Sequence, residues 1–227
     1  MRRRMNAMWT FPVAACLLLT AACHSNNGEP ADPVPGSEGK KSVSGLAYPK
    51  ENIGTSVGNV IPDFAFPGFV DPAASQAPVE IRFAHFYNPT GSGTFGPNDP
   101  FEDGTPLPKI IVVNVSGKWC APCKQEAAQV LPVQWQALHP KGLMLVTVLA
   151  DSDKPGVAAN IADLVAWTSS FQSRYPSVID PTYQMGALFD QNQFPANFVI
   201  DAKTMKILVF LGGKPPDSFW DNVAGHL

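Results

Sequence analysis

The sequence feature that most constrains the fold is an apolar run followed closely by two cysteines. Residues 110–115 are apolar except for Asn114, and they are followed by Gly117 and then by Cys120 and Cys123. A mostly β-branched apolar run of this length is typical of a buried strand, and a Ser-Gly pair commonly ends one. The pattern therefore predicts a strand, a turn, and a helix that begins at the cysteines.

The spacing of the two cysteines suits a redox-active pair. Residues three apart lie on one face of a helix, so Cys120 and Cys123 can form a disulfide with little backbone movement. Pro122 is compatible with the first helical turn, whose amide hydrogens have no intrahelical partner. These amides, together with the nearby charges of Lys118 and Lys124, favour the thiolate form of Cys120. Cys120 is therefore the predicted nucleophile, and the more deeply placed Cys123 is predicted to resolve the mixed disulfide.

Two other interpretations of the cysteine pair stay open at this point. A CxxC can supply half of a zinc site, although the sequence has no second CxxC and no paired histidines at finger spacing. The pair could instead form a purely structural disulfide, although so small a loop restricts the unfolded chain little.

Residues 114–126 resemble the active-site segment of the thioredoxin superfamily, and within it the TlpA/ResA-like extracytoplasmic thiol-disulfide oxidoreductases. The residues that carry the match are Asn114, Trp119, Cys120, Cys123, Lys124 and Glu126. In residues 115–118 the chain departs from the family pattern. The resemblance implies an α/β protein with a thioredoxin-like three-layer α/β/α architecture, a central mixed sheet, an N-terminal hairpin extension and an inserted loop region.

The same resemblance points to a functional acid. Glu126, three residues after Cys123, matches a carboxylate that ResA-like proteins carry near the active site. Burial would raise the pKa of such an acid, which could then accept the Cys123 proton during resolution. The alternative is a solvated helical glutamate paired with a lysine. Asn114 does not titrate, so if it is buried it orients a neighbouring group or a water.

A second segment of the chain is predicted to face the disulfide. Pro195 directly precedes the mostly apolar residues 196–200, and proline is tolerated in a central strand only at its start. The resemblance identifies Pro195 as the cis-proline that lies against the disulfide in thioredoxin-like proteins. Phe194 would then offer backbone groups to a client strand, while its bulk leaves the client preference open.

The N-terminal region has the features of an export signal. Residues 2–4 are arginines, residues 7–20 are mostly apolar, and small residues precede Cys23. We expect residues 1–22 to be a signal peptide and Cys23 to be lipidated, as in bacterial lipoproteins. An ordinary signal peptide or an uncleaved anchor is the alternative. Each of these outcomes places the protein outside the cytoplasm.

The remaining chain is predicted to comprise a tether and one domain. Residues 23–47 are rich in Pro, Gly, Ser and charge, which is typical of a flexible tether. Residues 48–227 are predicted to form the thioredoxin-like domain. Within it, residues 67–108 are interpreted as an insertion, because they are longer than the corresponding connection in the family that the chain resembles. Residues 88–108 are dense in Gly, Pro and Asp, which indicates loops. Only residues 79–87 of this insertion alternate as a strand does.

Hydrophobic periodicity predicts the other elements of the domain. The predicted helices and strands are a helix over residues 120–138 with a kink at Pro132, a strand over residues 142–149, a helix over residues 157–175, a strand over residues 206–211 and a closing helix over residues 217–227.

Cysteine usage and charge also bear on function. Cys16 would leave with the signal and Cys23 would carry lipid, so of the four cysteines only Cys120 and Cys123 remain in the domain. A single dithiol in an exported domain favours a redox role. The net charge is -3 and the basic residues are scattered, which argues against nucleic acid as a partner.

These features favour an extracytoplasmic thiol-disulfide oxidoreductase that exchanges disulfides with exported proteins. We expect it to act as a reductant of clients such as apocytochromes c, recharged by a membrane dithiol donor, as a monomer without cofactor or metal. The alternative is a metal-handling or client-binding lipoprotein on the same fold, although copper-delivery members space their cysteines by three residues. A thiol peroxidase is disfavoured because Gly117 stands where those enzymes carry Thr or Ser.

Overall fold

The computed structural model describes residues 47–190 and 192–227 and is organised around a seven-stranded sheet. The strands are β1 (Ala65–Phe69), β2 (Val79–Arg82), β3 (Ile110–Gly117), β4 (Leu143–Asp151), β5 (Ser177–Ile179), β6 (Ala196–Asp201) and β7 (Lys206–Gly212). The α-helices are α1 (Ala121–Gln129), α2 (Leu131–Leu138), α3 (Ile161–Phe171) and α4 (Asp217–Gly225). Three 3-10 helices span Phe83–Phe86, His139–Lys141 and Gln184–Leu188. The predicted signal peptide, Cys23 and nearly all of the predicted tether lie outside the described residues.

The strand that precedes the cysteines is near the centre of the sheet. The strand order is β2-β1-β5-β4-β3-β6-β7, and β3 runs parallel to β4 and antiparallel to β6. All residues of β3 and β4 are buried. A strand covered on both faces needs an apolar side chain at nearly every position, which explains the continuous apolar run in the sequence. The predicted mixed sheet is therefore confirmed.

The α-helices lie over one face of this sheet. Val112, Leu145 and Val199, from β3, β4 and β6, pack there with residues of α2 and α4. Residues of α1 and α3 pack beside them, over Phe69 and Leu149. The cysteine pair belongs to this second group of buried residues, so it lies on the helical side of the sheet.

The opposite face is covered mainly by 3-10 helices and loops. Its buried side chains include Phe83 and Phe86 from the first 3-10 helix, Phe95 and Phe101 from the loop that follows, and Met185 from the last 3-10 helix. The two outer layers therefore differ in kind: α-helices form one, and 3-10 helices and loops form the other.

The stretch interpreted as an insertion, residues 67–108, is only partly loop. Its first residues belong to β1, and β2 pairs with β1 as the predicted N-terminal hairpin. The strand expected over residues 79–87 ends at Arg82 and continues as a 3-10 helix. Pro67 does not interrupt β1 because only Gly68 and Phe69 pair with β5, so its missing N–H removes no bond there.

The other predicted elements are present with changed boundaries. The helix expected over residues 120–138 is divided at Val130, and Pro132 lies in the first turn of α2, where proline is tolerated. The helix expected over residues 157–175 is shorter, because Asn160 caps α3 by accepting from the Ala162 and Asp163 amides. The predicted strand over residues 206–211 and the closing helix are confirmed as β7 and α4.

Asp63 holds the segment that leads into β1. Its Oδ2 accepts from Arg82 Nη2 at 2.6 Å and from Nε at 3.2 Å, and its Oδ1 accepts from the Ala84 amide at 2.9 Å. One carboxylate thus ties the chain before β1 to the end of β2 and the start of the 3-10 helix. Charge-assisted bonds that are paired in this way are stronger than neutral ones.

We expect Asp63→Ala to lower the free energy of unfolding by about 2 kcal/mol, because it removes three hydrogen bonds from partly buried groups. Urea unfolding of the oxidised protein measures this change. Glu80→Ala is the matched control, since Glu80 is 59% exposed and lies 3.7 Å from Arg82. Its expected change is below about 0.5 kcal/mol. Equal losses in the two variants would contradict this role of Asp63.

Candidate active site

The cysteine pair lies where β3 passes into α1. Cys120 is the N-cap of α1, and its sulfur accepts from the Cys123 amide at 3.2 Å. Cys120 and Cys123 form a disulfide, with 5.3 Å between their Cα atoms. The predicted helix start and the predicted pairing are therefore confirmed. The Cys123 amide in this first turn donates to the Cys120 sulfur, which favours a thiolate after reduction.

The disulfide is more deeply buried than the sequence suggested. In the disulfide form Cys120 is 2% exposed and Cys123 is fully buried. Trp119 and Phe194 both pack against the buried cluster that contains the cysteines. Their rings meet edge to face, with centroids 5.9 Å apart. Access to the sulfur therefore requires these aromatic side chains to move.

The predicted cis-proline lies at the same end of the sheet as the cysteines, where β3 ends and β6 begins. The Phe194–Pro195 peptide bond is cis. Val115 of β3 pairs with Ala196 of β6, so Pro195 lies one position further along, beside the turn that carries Cys120. Pro195 is buried, and its carbonyl accepts from the Gly213 amide at 2.7 Å. The chain thus brings residues 120 and 195, far apart in sequence, to one site.

Trp119 is held in place by a hydrogen bond to Asp151 and by a close approach to Gly117. Its Nε1 donates to Asp151 Oδ2 at 2.8 Å. Gly117 lies directly beneath it, because a Cβ at position 117 would be 2.8 Å from Nε1. Gly117 is therefore required for the close approach of the ring, and not only to end the strand.

Lys118 does not supply the free positive charge that the sequence suggested. Its Nζ lies 2.9 Å from Asp163 Oδ1 and 3.0 Å from Asp153 Oδ2. Two carboxylates thus surround one ammonium group, and these hydrogen bonds raise the pKa of Lys118. Any favourable field at Cys120 must come mainly from the backbone amides of α1 and not from this lysine.

Glu126 is buried under the disulfide. It is fully buried on α1, so the alternative of a solvated glutamate is wrong. Asn114 donates through Nδ2 to Glu126 Oε2 at 3.0 Å and to Asn197 Oδ1 at 3.0 Å. Ser116 in turn donates to Asn114 Oδ1 at 2.8 Å. Asn114 therefore orients the acid, as its burial was predicted to imply.

Burial raises the pKa of Glu126 from 4.5 to about 7. The hydrogen bond from Asn114 and the charge of Lys214 act in the opposite direction, but the loss of solvation prevails. Cys123 and Glu126 are three residues apart on the buried face of α1. An acid that titrates near neutral pH beside the second cysteine is suited to exchange a proton with it.

Sequence reasoning missed Asn197 and Asp151. Asn197 lies opposite Asn114 across the β3–β6 pairing, and Asp151 ends β4 beside Gly117. A polar residue inside an apolar strand, as at position 197, was the available signal. Nothing in the sequence alone shows which strands are neighbours, so the pairing of the two asparagines could not be read from it.

Two further properties concern the described residues alone. Across residues 47–190 and 192–227, no three His, Cys, Asp or Glu side chains are grouped so that they could share a metal ion. Over the same ranges, none of the helices has the length and apolar character needed to cross a bilayer.

Two solved structures share the fold of this chain. No family model and no curated protein matches the sequence. A protein assigned as the thiol:disulfide interchange protein DsbE, from Chlorobium tepidum, is 19% identical with a TM-score of 0.52 over 76% of this chain and 96% of that one. A protein assigned as a protein disulfide isomerase, from Bacteroides thetaiotaomicron, is 15% identical with a TM-score of 0.54 over 76% of this chain and 91% of that one. The chain has a thioredoxin-like fold.

We expect Glu126→Gln to stabilise the oxidised protein in a pH-dependent way. Below pH 4.5 the acid is protonated in both the folded and the unfolded states, so its burial costs no ionisation energy. As the pH rises from 4.5 to about 7, the unfolded chain loses this proton first, and folding stability falls. The full loss above pH 7 is about 3 kcal/mol, and glutamine removes it.

Urea unfolding between about pH 4 and pH 8 measures this difference. Glu102→Gln is the matched control, because Glu102 is exposed. A constant stability difference between Glu126→Gln and the unaltered protein across this range would show that the buried acid does not titrate there.

Proposed function

We propose that this protein is a thiol-disulfide oxidoreductase that reduces disulfides of exported client proteins. The observation that carries the proposal is the Cys120–Cys123 disulfide at the start of α1, above a buried acid and beside a cis-proline. The thioredoxin-like fold is consistent with this chemistry but does not by itself assign it.

The proposed reaction begins with the reduced pair. The Cys120 thiolate attacks one sulfur of a client disulfide, forming a mixed disulfide and releasing the other client sulfur as a thiolate. Cys123 then loses its proton and attacks the Cys120 sulfur, which releases the second client thiolate and forms the Cys120–Cys123 disulfide. Two electrons pass from the protein to the client, and the client thiolates take up two protons. The described structure represents the oxidised product of this cycle.

Glu126 is proposed to accept the Cys123 proton in the second step. Both side chains lie on the buried face of α1, away from bulk solvent. A general base is most effective when its pKa is close to the working pH, and the pKa of Glu126 is raised to about 7. Asn114 holds the carboxyl in place through Oε2. The other oxygen, Oε1, has no hydrogen-bond partner among the described residues, so it is the atom proposed to accept the proton.

Phe194 and Pro195 are proposed to guide the client. Residue 194 directly precedes β6, at the end of the sheet where the turn that carries Cys120 lies. An extended client segment is proposed to pair with the backbone of residue 194, by main-chain hydrogen bonds of the kind that strands form with added peptides. The Phe194 ring contacts Trp119, so a client that binds here must replace this contact with its own.

The proposed location and partners rest on the sequence. A basic and apolar N-terminus before Cys23 supports export, with lipid at Cys23 anchoring the protein to a membrane. A membrane dithiol donor would recharge the pair, and exported proteins such as apocytochromes c would be the clients. Monomeric action without a cofactor remains part of the proposal.

Reduction of insulin by dithiothreitol tests the activity. We expect the protein to accelerate insulin precipitation, Cys120→Ser to abolish the acceleration, and Cys123→Ser to accumulate a mixed disulfide that non-reducing mass spectrometry detects. Both variants lose the same internal disulfide, so each controls for the structural effect of the other. Equal rates for the unaltered protein, Cys120→Ser and the background reaction would refute the proposed function.

The role of Glu126 is tested by the release of the mixed disulfide. We expect Glu126→Gln to slow release by about a hundredfold, because the base that takes up the Cys123 proton is lost. In the unaltered protein, release should accelerate as the pH rises through about 7, where Glu126 ionises. Rapid-quench measurement of the mixed disulfide with a peptide client gives both rates, and Glu102→Gln is the control. An identical pH profile in Glu126→Gln would exclude this role.

A further inference from the structure

Tyr183 and Trp119 meet at a single buried carboxylate. Asp151, the last residue of β4, is 3% exposed. Its Oδ2 accepts from Trp119 Nε1 at 2.8 Å and from the Gly156 amide at 3.1 Å. Its Oδ1 accepts from the Tyr183 hydroxyl at 3.0 Å. Asp151 therefore joins three chain segments at the carboxyl edge of the sheet: the turn before α1, the loop after β4 and the connection from β5 to β6.

These contacts link the two aromatic side chains that cover the disulfide. Trp119 belongs to the turn before α1, whereas Phe194 belongs to the β5–β6 connection. The two rings meet edge to face, and both pack against the buried cluster that contains Cys120, which is 2% exposed. Trp119 is fixed directly by Asp151. Phe194 packs on Phe189 of the connection that Tyr183 attaches to the same carboxylate, and its neighbours Gln193 and Pro195 accept from the Gly213 amide.

The backbone conformation of Tyr183 indicates that its hydrogen bond to Asp151 constrains the β5–β6 connection. Tyr183 has a φ of 56°, in the left-handed region that a non-glycine residue adopts only where its surroundings hold it. It directly precedes the 3-10 helix Gln184–Leu188, whose first amides donate to Asp180. Phe189 follows that helix and packs on Phe194, with ring centroids 5.5 Å apart. The ring of Phe189 thus connects the end of this 3-10 helix to Phe194.

We propose that the Tyr183–Asp151–Trp119 hydrogen bonds form a latch that keeps the aromatic cover closed over the disulfide. Tyr183 is a positioning residue in this arrangement, because it contacts neither cysteine and acts through Asp151 and the β5–β6 connection. The latch limits attack on the buried sulfur to partners that displace the cover. The consequence for clients rests on the proposed function, whereas the control of access to the disulfide does not.

The rate at which tris(2-carboxyethyl)phosphine reduces the oxidised protein tests the latch without any turnover. The released thiols are trapped with N-ethylmaleimide and located at Cys120 and Cys123 by mass spectrometry. Reduction of a buried disulfide follows the population of the open form. We expect Tyr183→Phe to accelerate reduction about tenfold, because opening no longer breaks a hydrogen bond to a charged group.

Two substitutions of Asp151 separate the latch from a general loss of packing. Asp151→Ala removes the acceptor for both aromatic residues, so we expect it to accelerate reduction at least as much as Tyr183→Phe. Asp151→Asn is the conservative variant, since its amide oxygen can accept from Trp119 while its amide nitrogen donates to the Tyr183 oxygen. Its rate should stay within about threefold of the unaltered protein. Tyr48→Phe is the matched control, because the Tyr48 hydroxyl donates to the Ile61 carbonyl outside this cluster.

A double variant shows whether the hydrogen bonds of Trp119 and Tyr183 to Asp151 act as one unit. If they do, adding Tyr183→Phe to Asp151→Ala gives no further acceleration, because Asp151→Ala has already removed the Tyr183 partner. The proposal would be overturned if the acceleration in the double variant equalled the product of the accelerations in the two single variants. An unchanged reduction rate in Tyr183→Phe would also overturn it. Circular dichroism shows whether Asp151→Ala folds. If it does not fold, the comparison of the reduction rates of Tyr183→Phe and Tyr48→Phe decides whether the latch exists. A protein without insulin-reducing activity would refute the proposed function while leaving this comparison of reduction rates valid.

Discussion

One hydrogen bond between buried polar groups, from Asn114 to Glu126, ties α1 to the central strand β3. Asn114 belongs to a row of polar side chains that crosses the sheet in register. The row comprises Ser177 on β5, Thr147 on β4, Asn114 on β3 and Asn197 on β6, all fully buried. The rest of that face is mostly apolar. A buried polar group needs a partner, so Glu126 and Asn114 together fix the rotation and the axial position of α1.

The geometry of the disulfide follows from the position of α1. Cys123 precedes Glu126 by one turn on the same buried face, and Cys120 caps the helix. The arrangement is not optimal for stability. Within the described chain, Glu126 Oε1, Thr147 Oγ1 and Asn197 Nδ2 have no hydrogen-bond partner, and each such buried atom costs about 1–3 kcal/mol. Groups that lower stability without a structural gain are typical of functional sites, which agrees with a role for Glu126 in proton transfer.

The sequence predicts the parts of the site that lie within one segment. Cys120, Cys123 and Glu126 are close in sequence, and helical spacing places them together. Pro195 was found only through a family resemblance, because proline before a strand has several explanations. The burial of Cys120 could not be predicted, since the residues packed against its cluster include Phe194, 74 positions away, and Phe171, 51 positions away.

The errors in the predicted fold have a similar origin. Proline and glycine at positions 67 and 68 predict a loop, but the pairing of β1 with β2 and β5 accommodates both. Lys118 was expected to act on the nearest sulfur. Asp153 and Asp163, from the loop after β4 and from α3, neutralise it instead. In each case a partner distant in sequence outweighs a local preference, and only the three-dimensional structure shows which partners are available.

The two buried carboxylates of the site, Asp151 and Glu126, differ in the number of hydrogen bonds that they accept. Asp151 receives three hydrogen bonds from donors on three different segments. Glu126 receives one short bond from Asn114, and burial raises its pKa to about 7. The three donors hold the Asp151 carboxyl in one orientation, whereas Glu126 can gain or lose a proton near neutral pH. The first arrangement suits a group that positions its neighbours, and the second suits a group that exchanges protons. The same functional group can therefore close the site at Asp151 and take part in its chemistry at Glu126.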